Sequence, residues 1–322
     1  MSRRPPVSFD GDPHDTADHA TRRILAVLLD TVRSLEDGVR RDLDVEFLHD
    51  FRVAVRRARS LLGQLDGVLP RLEVKPLVKN LKWLARSTNV MRDLDVHLLC
   101  MPEYRRMLSG TESAALDPVA AVLRQRRLAE LRALQDALDG SRHASTLRDW
   151  ERAARGESDD GRHEADGARP IREVAAERIL AIYRRVLDDG RAIDDESPPD
   201  ALHRLRIDCK KLRYLLEFFS DMLDADGLAK PVKALKRLQD NLGRFHDLDL
   251  QQIALRDLSA ELLERSGPSA ECERALATLV ELLAQQQRDE RARFAECFAR
   301  FDSPFVRRRI ARAIDLDADT AP

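Results

Sequence analysis

Apolar residues recur at intervals of three and four positions along most of the chain, a spacing typical of amphipathic α-helices. Phe51, Val55, Ala58 and Leu62, for example, fall on one side of a helix. No segment alternates apolar and polar residues with period two, so we expect no β-sheet. The predicted fold class is therefore all-α, with helices over residues 17–41, 46–65, 74–87, 91–107, 115–139, 144–154, 171–191, 199–223, 228–241, 245–265, 269–300 and 303–315.

The strongest organisational feature is an internal repeat. The segment HDFRVAVRRARSLL (49–62) is matched by HRLRIDCKKLRYLL (203–216), with His, Arg, Arg, Leu and Leu identical at corresponding positions. The same offset of 154 residues aligns RDLDV (92–96) with HDLDL (246–250) without a gap. We therefore predict a tandem duplication whose halves share one fold.

The duplication divides the chain into a first helical half over residues 17–154 and a second over residues 171–314. Residues 155–170 are rich in Gly, Asp and Glu and lack apolar periodicity, as expected of an exposed linker. We expect residues 1–16 and 315–322 to be flexible ends.

The distribution of charge is more informative than its total. The net charge is −2, so no overall basic bias indicates nucleic acid or membrane as a partner. Lysine occurs only eight times among 55 basic residues, and all eight lie within residues 75–82 and 210–236. This clustering marks places where a compact ammonium group is preferred to a planar guanidinium.

The basic residues of each repeat share one helical face. In the first copy they span an arc of about 80°, opposite the apolar residues. These residues are His49, Arg52, Arg56 and Arg59 in the first copy, and His203, Arg206, Lys210 and Arg213 in the second. The next helix adds a further stripe, made of Lys75, Lys79, Lys82 and Arg86 in the first half and of Lys233, Lys236 and Arg237 in the second. Any single stripe can be an ordinary solvated face. Such faces usually mix signs, however, and stacked like charges repel unless a polyanion or nearby carboxylates neutralise them.

The two copies of HDFRVAVRRARSLL, together with LKWLARSTNVMRDLDV and its second copy, resemble the paired signatures of the CHAD domain, the conserved-histidine alpha-helical domain. The resemblance runs from about Ala17 to Ile314. It implies two similar helical bundles related by pseudo-twofold symmetry, with a basic groove or pore between them. It also implies binding of inorganic polyphosphate, at polyphosphate granules. The chain departs from the family pattern at STNVMRD and at His246, where arginine is usual.

Position by position, the resemblance implies a set of polyphosphate-binding residues in both halves. They are His49, Arg52, Arg56, Arg57, Arg59, Lys79, Lys82 and Arg92, followed by His203, Arg206, Lys210, Lys211, Arg213, Lys233 and Lys236. The stripes add Lys75, Arg86 and Arg237 to this predicted site. His49 and His203 either bind as cations, so that affinity falls between about pH 6 and 8, or remain neutral and bonded to backbone.

Two other functions remain open. Nucleic-acid binding is less expected, because aromatic residues make up only 5% of the chain and the basic stretches offer only Trp83 and Tyr214 for stacking. A metal-dependent phosphohydrolase would use His49 with Asp50, or His246 with Asp247, but Asp50 has no counterpart in the second copy. We interpret these carboxylates, with Asp93 and Asp95, as helix caps or partners of arginine. We therefore expect a non-catalytic protein without metal or cofactor.

The remaining features bear on location. The four cysteines form no CxxC pair and are interpreted as small apolar residues of a reducing compartment. The polar N-terminus does not match a signal peptide, and no apolar stretch is long enough to span a bilayer. We expect a cytoplasmic protein associated with polyphosphate granules and not with membranes.

Overall fold

The computed structural model describes residues 7–156, 164–223, 225–266 and 269–314. Within these ranges the regular secondary structure is helical, and the one β-type contact is an isolated antiparallel bridge between Thr16 and Pro170. The prediction of an all-α fold is thus confirmed. Across the same residues, no helix combines the length and apolar character needed to cross a membrane.

The described part of the first half contains six α-helices: α1 (Ala17–Arg40), α2 (Val45–Gln64), α3 (Arg71–Ser87), α4 (Asn89–Met107), α5 (Asp117–Asp139) and α6 (Ser141–Arg155). The second half contains five: α7 (Ile171–Arg191), α8 (Pro199–Phe218), α9 (Ala225–Ser266), α10 (Ala270–Phe301) and α11 (Pro304–Ala313). Short 3₁₀ turns lie at Gly110–Glu112, Ala114–Leu116 and Ser220–Met222.

Local chemistry fixes the starts of the helices that carry the predicted site. The Asp44 carboxylate caps α2 by accepting a hydrogen bond from the backbone amide of Glu46. Pro199 occupies the first turn of α8, where its missing N–H costs no helical hydrogen bond. Both helices span 20 residues and begin 154 residues apart, in agreement with the repeat. The duplication and its symmetry axis remain predictions.

The structure corrects the sequence prediction at two helix ends. We expected separate helices over 228–241 and 245–265, but α9 runs unbroken through Gly243. Its buried residues Leu235, Leu238, Leu242 and Phe245 follow each other at helical spacing, so one apolar face passes through the glycine. We also expected α8 to reach residue 223, but it ends at Phe218.

The two hydrophobic cores are not the cores of the two halves. The larger one combines residues of α1–α3, α6, the start of α4 and the end of α5 with residues of α7, α8, the first part of α9, the end of α10 and α11. The smaller one combines α4 and α5 with the second part of α9 and α10. Each core therefore draws on both halves of the chain.

The segment before α1, which we expected to be flexible up to residue 16, packs against the second half from Val7 onward. Phe9 is 1% exposed, and its backbone amide donates to the carbonyl of Phe218 at 2.7 Å. The amide of Ile171 donates to the carbonyl of Asp15 at 2.8 Å. The expected flexible tail at 315–322, residues 1–6 and residues 157–163 of the expected linker lie outside the described residues.

Candidate anion-binding site

The basic helices of the two halves, α2 and α8, pack against each other. The Arg56 Nε donates to the hydroxyl of Tyr214 at 2.9 Å. Arg57 forms an ion pair with Glu217, and its guanidinium lies 5.7 Å from the centre of the Tyr214 ring. These contacts bring the two predicted basic faces together in one place.

Four cations from the two helices meet at this contact, and we call Arg56, Arg206, Lys210 and Arg213 the central cluster. Burial lowers the pKa of Lys210 to about 7, and repulsion by Arg206 and Arg56 contributes to the shift. The carboxylate of Asp247 opposes this effect and lies 3.6 Å from Arg206. Burial, followed by the charge of Arg56, also lowers the pKa of Arg206, and Asp247 again opposes it. The cluster therefore holds more positive charge than its neighbours neutralise.

The first half extends the cluster through Arg52, Arg92 and His49. The Arg52 guanidinium donates to the Ala85 carbonyl at 3.0 Å and to the Thr88 hydroxyl at 2.6 Å. Burial is the largest effect lowering the pKa of Arg52, to which Arg56 and Arg92 add. Burial and the charge of Arg92 lower the pKa of His49, which is therefore neutral at pH 7 in the ligand-free protein.

The second half extends the cluster through a pair of histidines. The His203 and His246 ring centres lie 4.5 Å apart. Burial, followed by the charges of Arg206 and His203, lowers the pKa of His246. His246 thus lies within the site, although it stands where the family pattern has arginine.

Three predicted residues, one of them in the central cluster, are partly neutralised by acids. Arg57 and Arg213 share Glu217, with the Arg213 Nε 3.4 Å from its carboxylate. The Lys211 ammonium donates to Asp208 at 2.7 Å. These pairs leave Arg57 and Lys211 with less uncompensated charge than their neighbours Arg56 and Lys210.

The predicted stripes on the next helices are exposed. They comprise Lys75, Lys79, Lys82 and Arg86 on α3, and Lys233, Lys236 and Arg237 on α9. None of them forms an ion pair with a residue in the described part of the chain. Arg86 lies close enough to Arg59 to help lower its pKa, after the larger effect of burial. The charge of Arg86, at the end of the stripe on α3, therefore acts on Arg59 of α2.

A cavity of about 310 Å³ opens beside Arg59 and Lys211, between α2, α7 and α8. Two of its lining residues, Arg178 and Arg185 on α7, were not predicted. Their spacing of seven residues places them on one face of α7, which could have indicated them. The repeat gave no such signal, because the matched positions of the first half are Ile24 and Thr31.

Two of the carboxylates considered for a metal site have basic partners. Asp95 accepts a hydrogen bond from Arg127 at 2.6 Å, and Asp247 lies 3.6 Å from Arg206. Among the described residues, no group of three or more His, Cys, Asp or Glu side chains could hold a metal ion.

The two aromatic residues considered for base stacking are covered. Tyr214 is 2% exposed and accepts the hydrogen bond from Arg56. Trp83 packs against the larger core, with the Arg142 guanidinium 4.7 Å from its ring centre. Neither ring presents an open face next to the central cluster.

Comparison with known proteins identifies relatives of this fold. The sequence model of the CHAD domain matches residues 23–256. A crystal structure of the CHAD domain from the plant Ricinus communis is similar over 93% of this chain and 97% of its own, at 23% identity and a TM-score of 0.73. PptA from Streptomyces chartreusis is similar over 88% of this chain and 99% of its own, at 16% identity and a TM-score of 0.66. No curated protein sequence matches significantly.

Proposed function

Because the chain belongs to the CHAD domain family, we propose that it binds inorganic polyphosphate along the surface where α2 and α8 meet, without hydrolysing it. The observation that carries the proposal is the convergence of Arg56, Arg206, Lys210 and Arg213 from both halves. Burial, together with repulsion between these like charges, lowers the pKa of Lys210 to about 7, which is unfavourable for the ligand-free protein. A bound polyanion would remove that repulsion.

The chemistry of polyphosphate suits such a surface. The polymer carries about one negative charge per internal phosphate and offers neither a base to stack on nor a base edge to read. Arginine can bind phosphate oxygens in a bidentate manner, while lysine acts as a mobile point charge. Binding should therefore depend on counterion release and weaken steeply with salt, as it does for DNA-binding proteins.

Nucleic acid is the weaker candidate. Single-strand binders combine cations with exposed aromatic rings. Here Tyr214 is 2% exposed and engaged by Arg56, and Trp83 lies under Arg142. The surface next to the central cluster is thus suited to a backbone of phosphates alone.

The test is a mobility shift with long-chain polyphosphate at graded salt concentrations, with RNA as competitor. The double variant Arg56→Gln, Lys210→Gln should weaken binding at least tenfold, since each lost charge-assisted contact is worth about 1.5–3 kcal/mol. The matched control is Arg204→Gln, an exposed cation about 120° around α8 from Lys210. Equal affinity of the double variant and the wild type, or displacement by RNA at equal phosphate concentration, would overturn the proposal.

Two further experiments test whether the protein hydrolyses polyphosphate and where it lies in the cell. Incubating the protein with long-chain polyphosphate and divalent cations should release no orthophosphate above the protein-free rate. In cells, we propose association with polyphosphate granules. A fluorescent fusion should then concentrate at granules, and the Arg56→Gln, Lys210→Gln variant should not.

A further inference from the structure

The cavity between α2, α7 and α8 has a lining of unusual charge. Arg59 comes from α2, Arg178 and Arg185 from α7, and Lys211 from α8. The other described residues that line the cavity are uncharged, so its lining contains no carboxylate. Four cations around about 310 Å³ of open space give the cavity a strongly basic lining.

Nearby acids neutralise only half of this charge. The Arg178 guanidinium donates to the Asp166 carboxylate at 2.7 Å, and Lys211 donates to Asp208 at 2.7 Å. Arg59 and Arg185 form no ion pair with any residue that the structure describes. Arg59 is moreover repelled by Arg86. The cavity therefore has an excess of about two positive charges, the amount that a phosphate dianion would neutralise.

The cavity also offers a neutral donor and room. The Ser60 hydroxyl oxygen accepts a hydrogen bond from the Gln64 amide at 2.8 Å, which leaves the hydroxyl proton free to donate to an anion. At Gly63 a side chain would meet no atom within 4 Å of its Cβ position. An anion in this space could be contacted by Arg59 and Arg185, by Lys211 and by the Ser60 hydroxyl group.

The two kinds of phosphate in a polyphosphate chain differ in charge. An internal phosphate carries about one negative charge, whereas a terminal phosphate ionises a second time near pH 6, as a phosphomonoester does, and carries about 1.5 to 2 charges at neutrality. The central cluster lies where α2 and α8 meet and is suited to internal phosphates, and Arg59 and Lys211 of the same two helices line this cavity. Building on the proposed function, we infer that the cavity binds the terminal phosphate of a polyphosphate chain.

In the described part of the first half, the positions that match Arg178 and Arg185 carry no cation. Ile24, which corresponds to Arg178, is 1% exposed and belongs to the larger core. Thr31 corresponds to Arg185 and donates its hydroxyl proton to the carbonyl of Val27. One protein molecule therefore binds one chain end, and a bound chain has a fixed direction across α2 and α8.

Linear tripolyphosphate and cyclic trimetaphosphate test the inference, because the cyclic trimer has no terminal phosphate. Calorimetry on the full chain should show one site for tripolyphosphate and binding of trimetaphosphate at least tenfold weaker. Arg185→Gln should weaken tripolyphosphate binding about tenfold, as expected for a lost charge-assisted contact. Arg184→Gln, the neighbouring exposed arginine outside the cavity, should leave it unchanged.

A second pair of variants tests the open space of the cavity separately from the charge of its lining. Gly63→Leu fills the cavity and keeps every cation, and should also weaken tripolyphosphate binding. Gly63→Ala adds one methyl group to the same helix and should retain most of the affinity. Circular dichroism verifies that both variants stay folded, as expected because alanine and leucine favour helix over glycine.

The inference and the proposed function fail in different ways. Equal effects of Arg185→Gln and Arg184→Gln, or equal affinity for the linear and cyclic trimers, would overturn the inference while long-chain binding persists. The proposed function would instead be overturned if the wild-type protein showed no salt-dependent mobility shift with long chains, while Arg185→Gln still lost tripolyphosphate binding. That result would leave a site for short phosphates only.

Discussion

Arg52 and Arg206 occupy matched positions in the two halves of the molecule but have different contacts. In the first half, α3 ends at Ser87 and α4 begins at Asn89, and Arg52 donates to the Ala85 carbonyl and the Thr88 hydroxyl at this break. In the second half, α9 continues through the corresponding position, Leu242, so there is no helix end to cap. Its matched arginine, Arg206, has Asp247 at 3.6 Å as its one acidic partner among the described residues.

The difference shows that a repeated residue need not have a repeated role. The carbonyls at the end of α3 lack helical partners, and Arg52 satisfies one of them. Arg206 keeps its donors available, next to Arg56 and Lys210. We therefore expect Arg52 to act mainly in folding and Arg206 mainly in binding.

Stability should separate the two arginines most clearly. Arg52→Ala removes two hydrogen bonds from a charged donor and should lower the free energy of unfolding by about 2 kcal/mol. Arg206→Ala relieves repulsion in the central cluster and should change it by less than about 0.5 kcal/mol. Urea unfolding of both variants measures the difference. If both variants lost the same free energy of unfolding, the hydrogen bonds that Arg52 makes at the break near Thr88 would not contribute to stability.

Affinity should separate them in the opposite sense. Arg206→Gln should weaken long-chain polyphosphate binding about tenfold, the loss of one charge-assisted contact. Arg52→Gln should weaken it less than about threefold, because its guanidinium already donates to the end of α3. Titration at one fixed salt concentration compares the variants directly. A larger loss for Arg52→Gln would reverse the assigned roles.

A second matched pair, Arg56 and Lys210, should differ in pH dependence. Lys210 has a pKa of about 7 in the ligand-free protein, and a bound polyanion would raise it. Binding above pH 7 then takes up a proton, so affinity should fall by about fivefold between pH 7 and 9. The pKa values of His49 and His246 are lowered and lie below this range.

Lys210→Arg provides the control for this pH effect. Arginine stays charged up to pH 12, so the variant's affinity should be flat between pH 7 and 9. Persistence of the slope in Lys210→Arg would assign the proton to another group, and a flat wild-type profile would show that Lys210 does not titrate on binding.

The smallest expected effect concerns the unbroken helix itself. Gly243 lies inside α9, and no atom lies within 4 Å of its Cβ position. Gly243→Ala should therefore raise the free energy of unfolding by about 0.5–1 kcal/mol, the usual gain of alanine over glycine within a helix. Thermal unfolding measures it, and a destabilised variant would indicate that α9 bends at this glycine in solution.

Helix positions were largely predictable from the sequence, because most helices bury one regular apolar face. The break between α3 and α4 was predicted, but the continuity of α9 was not, since we expected one helix to end at residue 241 and the next to begin at 245. The apolar face through Leu238, Leu242 and Phe245 outweighs the low helix propensity of one glycine. Thr88 differs because its hydroxyl donates to the carbonyl of Ala85, competing with the regular helical pattern.

The site was predictable only as far as the repeat reached. The two basic faces were found, and the structure brings Arg56 and Lys210 together, but sequence could not show that Glu217 neutralises Arg57 across the helix contact. Arg178 and Arg185 lay outside the repeat, and their proximity to Arg59 depends on how α7 packs. Partners that are distant in sequence are set by tertiary packing.

The composition of the two hydrophobic cores couples formation of the binding surface to folding of the whole protein. Each core joins side chains from both halves, so neither half can retain its interior while the other unfolds. Loss of structure should then be cooperative, with α2 and α8 ordering or melting together. No state with one folded half would then bind polymer, and the fraction of molecules able to bind a polymer would equal the folded fraction.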